Sequence, residues 1–232
     1  MFVIRHEAFK SMIEIYGKHV RQTLHEVLTS TKTAVVAIDI QNDFFSPDGV
    51  FAAAGRDMTL ANKHLPNMIH LLAYAQKVGL FTVFVRQLTL PDGKGDSEAW
   101  LRLKVRDGKS PDYTLVGSWG AAFCEGIAPR ATDPIVDKYR PDAFHRTNLD
   151  LLLRSNNIEA VVFVGANTEG CVESTVRSCA HHDYYTVVAE DAVASSNVQY
   201  HDASLSLMRN RFFVSPVAEI VSCFDSIYRR NG

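Results

Sequence analysis

Val161-Val162-Phe163-Val164-Gly165-Ala166-Asn167-Thr168-Glu169-Gly170-Cys171-Val172-Glu173-Ser174-Thr175 runs from an apolar, β-branched stretch through a short polar turn into a helix-like segment. Strand, turn and helix in that order are the repeating unit of a parallel sheet. Cys171 then falls at the N-terminal end of a helix. There, unpaired backbone N–H groups and the positive end of the macrodipole favour a thiolate and an oxyanion alike.

Outward from this unit, short Val/Ile/Phe-rich runs recur near 34–39, 80–86, 134–138, 185–190 and 211–214, which with 160–165 makes six strands. Segments 60–78, 148–156, 172–183, 202–209 and 217–229 between or after them carry apolar residues at helical spacing. The alternation predicts an α/β fold: a Rossmann-like three-layer sandwich with a central six-stranded parallel sheet and helices on both faces. Residues 87–130 depart from the pattern. Glycines and prolines punctuate a polar stretch there that also holds Trp100 and Trp119, which predicts a long excursion with short helices beside a binding site. Before the first strand, Phe9, Met12, Ile13, Tyr16, Val20, Leu24, Val27 and Leu28 are spaced for one amphipathic N-terminal helix over 7–30.

At 232 residues and 47% hydrophobic content the chain can bury a substantial core. Twenty-four basic residues against 26 acidic ones, with no polybasic run, give no support for a nucleic-acid or membrane-surface partner. A small molecule is the expected partner. The first residues, Met1 to Glu7, have a charged pair where a secretory signal needs its apolar core. No apolar run approaches the ~18 residues of a membrane span, so a soluble, cytoplasmic protein is expected. Cys124, Cys171, Cys179 and Cys223 include no Cys-x-x-Cys pair, so reduced thiols are expected rather than a disulfide scaffold or zinc ribbon.

Ligands of open parallel sheets bind at the carboxyl ends of the strands. Asp39, Lys138 and Cys171 each end or follow a predicted strand, and a carboxylate, an ammonium and a thiol meeting there form a coherent nucleophilic site. Taken singly, Asp39 also fits a turn cap, Lys138 a solvated lysine and Cys171 an inert apolar residue. Their common sheet edge favours the chemical reading.

Three motifs extend it. They are Ala37-Ile38-Asp39-Ile40-Gln41-Asn42-Asp43-Phe44, then Val136-Asp137-Lys138-Tyr139-Arg140 with Asp142-Ala143-Phe144, and then Gly165 through Arg177 continuing to Asp191-Ala192. In order and spacing the chain resembles the isochorismatase-like cysteine hydrolases from about residue 33 to 215. Their metal-free amidase branch includes N-carbamoylsarcosine amidases, ureidoacrylate amidohydrolases and biuret hydrolases. With the apolar spacing before the first strand, this resemblance divides the chain into a helical N-terminal extension over 1–32 and an expected hydrolase domain over 33–232. It implies that Cys171 attacks a carboxamide or ureido carbonyl, that Asp39 shuttles the proton, and that Lys138 holds both in register. It also implies an oxyanion hole from the backbone N–H groups of Asn167 and Cys171, a cis peptide between Ala166 and Asn167, and a homo-oligomer, dimer or tetramer, to which residues 1–30 contribute.

Nicotinamidases of the family carry an Asp-x-His metal motif after the second strand. Here that region reads Val85-Arg86-Gln87-Leu88-Thr89-Leu90-Pro91-Asp92-Gly93, so neither a metal nor another cofactor is expected. Isochorismatase-type vinyl ether hydrolysis, which needs no cysteine, and a catalytically retired structural or interaction subunit are the competing readings. Phe44, Tyr139 and Phe144, with Trp100 and Trp119, are candidates for an apolar substrate wall. Arg86, Arg140, His145 and Arg146 are candidates for binding its polar end. Glu169 and Glu173 are expected to face solvent or to pair with Arg177.

Overall fold

The computed structural model describes residues 13–106 and 110–228. Six parallel strands form the sheet: β3 (Thr33–Ile38), β4 (Phe81–Gln87), β5 (Ile135–Lys138), β6 (Ala160–Ala166), β7 (Tyr185–Ala194) and β8 (Phe213–Ser215), in spatial order β5-β4-β3-β6-β7-β8. The chain builds outward from β3 through β4 to β5, then returns to lay β6 on the other side of β3. The strand order therefore reverses between β3 and β6, where a parallel sheet opens a crevice at its carboxyl edge.

β3 and β6 are buried along their whole lengths, because helices cover both faces. Val35, Ala37, Val162 and Val164 pack with α1 (Leu24–Ser30), α4 (Thr59–Lys77) and α9 (Val217–Tyr228). Alternate residues Ala34, Val36, Ile38, Val161 and Phe163 pack with α6 (Leu149–Ser155), α7 (Glu173–His181) and α8 (Val198–Arg209). The two-residue alternation along each strand sends its β-branched side chains into two separate cores.

The helix expected over 7–30 is corrected. Residues 1–12 lie outside the described part, and only Leu24–Ser30 is helical; before it, β1 (Ile13–Ile15) and β2 (Lys18–Val20) pair as an antiparallel hairpin. Tyr16 and Gly17 supply positive φ angles of 50° and 73°, as a two-residue hairpin turn requires. Thr23 then caps α1, accepting from Glu26 N at 3.1 Å while the Glu26 carboxylate accepts from Thr23 N at 3.2 Å. This reciprocal capping box starts the helix well after residue 7.

Among the described residues, the excursion after β4 holds α5 (Glu98–Lys104) and the short 3-10 turns Pro91–Gly93 and Trp119–Ala121. It is latched to α2 (Asn42–Phe45), which follows β3, and to α3 (Val50–Ala53). Asp43 accepts from Thr114 N at 2.6 Å and from Val50 N at 3.2 Å, and Asn42 donates to Trp119 O at 2.8 Å. No helix among the described residues is long and apolar enough to cross a membrane.

The β3–β6 junction has one strict requirement. Gly165 has φ 128°, and a Cβ there would lie 1.9 Å from the carbonyl oxygen of Ile38, its register partner. Gly165→Ala is therefore expected to cost more than about 3 kcal/mol by urea denaturation. Gly79→Ala, where φ is 78° but nothing lies within 4 Å, should cost about 1–2 kcal/mol. Equal losses would show that the close approach is not what constrains Gly165.

Candidate active site

Three strand ends converge on one buried cluster. Asp39 follows β3 directly and adopts φ 52°, a left-handed conformation that Asp tolerates better than most residues. Lys138 ends β5, two strands away, so its long stem must cross the end of β4 to reach β3. There its ammonium lies 2.7 Å from Asp39 Oδ2, 2.8 Å from Gln87 Oε1 and 3.2 Å from Cys171 Sγ. Three partners match the three N–H bonds of an ammonium. Besides Lys138, the Cys171 thiol and the Gln87 backbone also act on the buried Asp39 carboxylate through hydrogen bonding, which places the thiol proton beside its acceptor.

Cys171 follows β6 on a π-helical turn over Thr168–Val172 that runs into α7. The peptide between Ala166 and Asn167 is cis. Thr168 Oγ1 bonds His201 Nδ1 at 2.8 Å, and Thr175 Oγ1 donates to Cys171 O at 2.7 Å. Both ends of the turn are thereby held by side chains from outside it.

Burial decides the electrostatics. It is the largest influence on the Cys171 thiol and pushes it up to about 12; Lys138 opposes this and the Asp39 carboxylate reinforces it. The expectation that a helix N-terminus favours the thiolate meets an opposing influence here: burial favours the neutral thiol. Asp39 is raised above the usual carboxylate range by burial, against the pull of Lys138. Burial pushes Lys138 down, but the combined attraction of Asp39 and Cys171 leaves it above the usual lysine value. A carboxylate with raised proton affinity thus sits beside a thiol and a fixed cation.

Cys171 opens onto a cavity of about 180 Å³ whose walls include Phe44, Phe51, Arg56, Gln87, Trp100, Lys104, Tyr113 and Asn167. Phe44 and Phe51 meet edge to face at 4.7 Å, and Tyr113 closes the cluster at 5.9 Å from Phe44. Lys104 is neutralised by Asp96 at 2.9 Å. No group of three or more His, Cys, Asp or Glu side chains among the described residues is arranged to hold a metal ion.

The isochorismatase domain profile matches residues 33–218. The chain belongs to the isochorismatase family. The ureidoacrylate amidohydrolase RutB of Agrobacterium fabrum is 31% identical over 175 residues, which cover 71% of this chain and 77% of that one. Its counterpart from Azorhizobium caulinodans is 28% identical over 208 residues, covering 84% and 92%. Among solved structures, a cysteine hydrolase from Pseudomonas syringae pv. phaseolicola shares the fold with TM-score 0.73 at 24% identity, covering 85% of this chain and 94% of that one. N-carbamoylsarcosine amidase from Thermoplasma acidophilum does so with TM-score 0.63 at 24% identity, covering 80% and 96%.

Within this family fold, Asp39, Lys138, Cys171, Asn167 and Phe44 come together, and of the other candidates only Trp100 joins them. Arg86 alternates away from Gln87 and forms a two-pronged ion pair with its register partner Asp137, at 2.7 and 2.9 Å. Tyr139, next to Lys138, is exposed and lines a separate surface pocket with Arg140, His145 and Arg146. Phe144 stacks on His182 at 4.7 Å inside the second core. Of the other wall candidates, Trp100 lines the cavity and Trp119 lies in another surface groove. Glu173 pairs with Arg177 at 2.7 Å, whereas Glu169 turns inward to accept from Ser195 Oγ at 2.9 Å.

Sequence reasoning passed over Gln87 and Arg56. Gln87 ends β4 as Lys138 ends β5, so the strand-end rule that selected Lys138 selects it too. Arg56 carries no comparable signal.

The upward push of burial on the Cys171 thiol is testable by methanethiosulfonate labelling read by mass spectrometry. Cys171 should label ahead of the buried Cys124, Cys179 and Cys223. Because the thiolate is the attacking form, its rate should rise about tenfold per pH unit across the alkaline range without levelling. A plateau near neutral pH would mean a thiolate at rest.

Proposed function

We propose that this chain is a cysteine hydrolase of a linear carbon–nitrogen bond, amide or ureido/carbamoyl, in a small molecule that enters the Cys171 cavity. The observation that carries the reading is the buried Lys138 ammonium in contact with both Asp39 and Cys171. The reaction class is that of the relatives named as amidohydrolases.

As Cys171 Sγ attacks the carbonyl, Asp39 takes the thiol proton and Lys138 balances the negative charge passing from carboxylate to sulfur. The backbone N–H groups of Asn167 and Cys171 hold the tetrahedral oxyanion. Asp39 then delivers its proton to the departing nitrogen, and ammonia or an amine leaves with an acyl or carbamoyl thioester remaining on sulfur. Asp39 next accepts a proton from water, the hydroxide attacks the thioester, and the proton returns to Cys171 as the acid departs. Phe44, Phe51, Trp100 and Tyr113 line the cavity around the reacting carbonyl.

Ammonia release from ureido acids, N-carbamoyl amino acids, biuret and simple amides tests the reading. Cys171→Ala is expected to abolish it, and undiminished release would remove the mechanism. Asp39→Asn should lower kcat by about 10²–10⁴. Asp39 must be ionised to act, and burial raises its pKa. Activity should therefore fall as pH drops through a value above the ordinary ~3.9, and an acid limb at or below that value would contradict the assignment.

A homo-oligomer and a cytoplasmic location belong to the same reading. Three of the four free thiols are buried, and Ile13, Ile15 and Tyr16 are exposed on the hairpin. Removing residues 1–20, which spares the buried face of α1, should reduce the mass seen by light scattering; an unchanged mass would detach the hairpin from assembly.

A further inference from the structure

Arg56 owes its position to the way α3 ends. Gly55 takes φ 70°, its N–H bonds Ala52 O at 2.9 Å and the Arg56 N–H bonds Phe51 O at 3.1 Å, the paired bonds of a Schellman turn. That turn folds the Arg56 side chain back over Phe51, with the guanidinium carbon 3.6 Å from the ring centroid. Stacking covers a face of the guanidinium and leaves its N–H edge for other partners.

No partner fills that edge among the described residues. Arg56 Nε is buried without a hydrogen bond. Tyr113 and Glu169 lie close enough to favour its charge, while burial opposes it, yet neither forms an ion pair with it. Glu169 does not line the cavity; Ser195 engages one of its oxygens, and the other is buried without a hydrogen bond. The other cations of this region are committed: Lys104 to Asp96 and Thr89, Lys138 to Asp39, Gln87 and Cys171. A partly desolvated guanidinium with open donors, in the same cavity as the nucleophile, is matched by the two oxygens of a carboxylate.

We infer that Arg56 reads a carboxylate on the substrate, so that the preferred substrates are short anionic N-carbamoyl or amide acids rather than neutral amides. This rests on the proposed hydrolase reading for the placement of the scissile carbonyl over Cys171. The cavity, about 180 Å³, is smaller than the ~300–1,000 Å³ typical of drug-sized sites. The anion and the scissile bond are therefore only a few bonds apart.

Calorimetry on the Cys171→Ser protein, with N-carbamoyl-β-alanine and its methyl ester as probes, separates the charge from the shape. The acid should bind about 10- to 100-fold more tightly than the ester, the range for charge-assisted hydrogen bonds. Adding Arg56→Met should reduce that ratio to near one, and Arg56→Lys should keep part of it; circular dichroism checks that each variant is folded. Equal binding of acid and ester, an acid preference that survives Arg56→Met, or no detectable binding of the acid would overturn the assignment. Ammonia release by the unmodified protein is read in parallel. Acid-selective, Arg56-dependent binding without Cys171-dependent release leaves Arg56 as a carboxylate site and removes the hydrolase reading. Release with equal kcat/KM for acid and ester keeps the hydrolase and overturns the role of Arg56.

Discussion

A buried ammonium must be satisfied on every side, and at Lys138 that requirement organises the molecule. Its three partners come from the ends of three different strands: Asp39 after β3, Gln87 at the end of β4 and Cys171 beyond β6. Removing one partner of a buried ion pair typically costs about 3–5 kcal/mol, so the sheet register and the site stand together. A lysine suits the task because its flexible stem spans the β4 edge and its head directs three donors apart. The planar fork of an arginine would favour two parallel bonds to one partner.

The same burial sets the resting chemistry. Helix-terminus electrostatics contribute about 0.3–1 kcal/mol at exposed sites, too little to keep a thiolate in a site where burial pushes the thiol to about 12. The ion pair of the site is Lys138 with Asp39, at 2.7 Å. An idle thiolate would be open to oxidation; a thiol that ionises as it attacks is less so. The cost of the buried carboxylate is offset by the cation, and its raised proton affinity fits the proton shuttle proposed for it.

The sheet was legible because short β-branched runs ending in polar residues are distinctive, and their order fixed which ends meet. The cavity walls were less so. Nearness in sequence to a motif residue says little on a strand, where neighbours point to opposite faces: Arg86 turns from Gln87 to Asp137, and Tyr139 turns from Lys138 to the surface. Phe144 failed for another reason. It is apolar and near the lysine motif, but so is the second core, and His182 covers it. The N-terminal helix was misread because Ile13 and Ile15 also fit a two-residue period, with Val20 pairing to Ile13 across the turn, and the Tyr16-Gly17 turn signal was outweighed by apolar spacing.

Arg56 shows why specificity is harder to read than catalysis in such a fold. The reacting groups are tied to strand ends, where a topological rule applies to every parallel sheet. The cavity walls come from α2, α3 and the excursion after β4, whose conformation depends on local caps and latches such as Asp43 to Thr114. Those latches join segments 71 residues apart and leave no period in the sequence. Loops on a rigid scaffold can change without moving the strand ends. A single Schellman turn, ending one four-residue helix, is then sufficient to decide whether the cavity presents an open cation, and with it which small amides are drawn to Cys171.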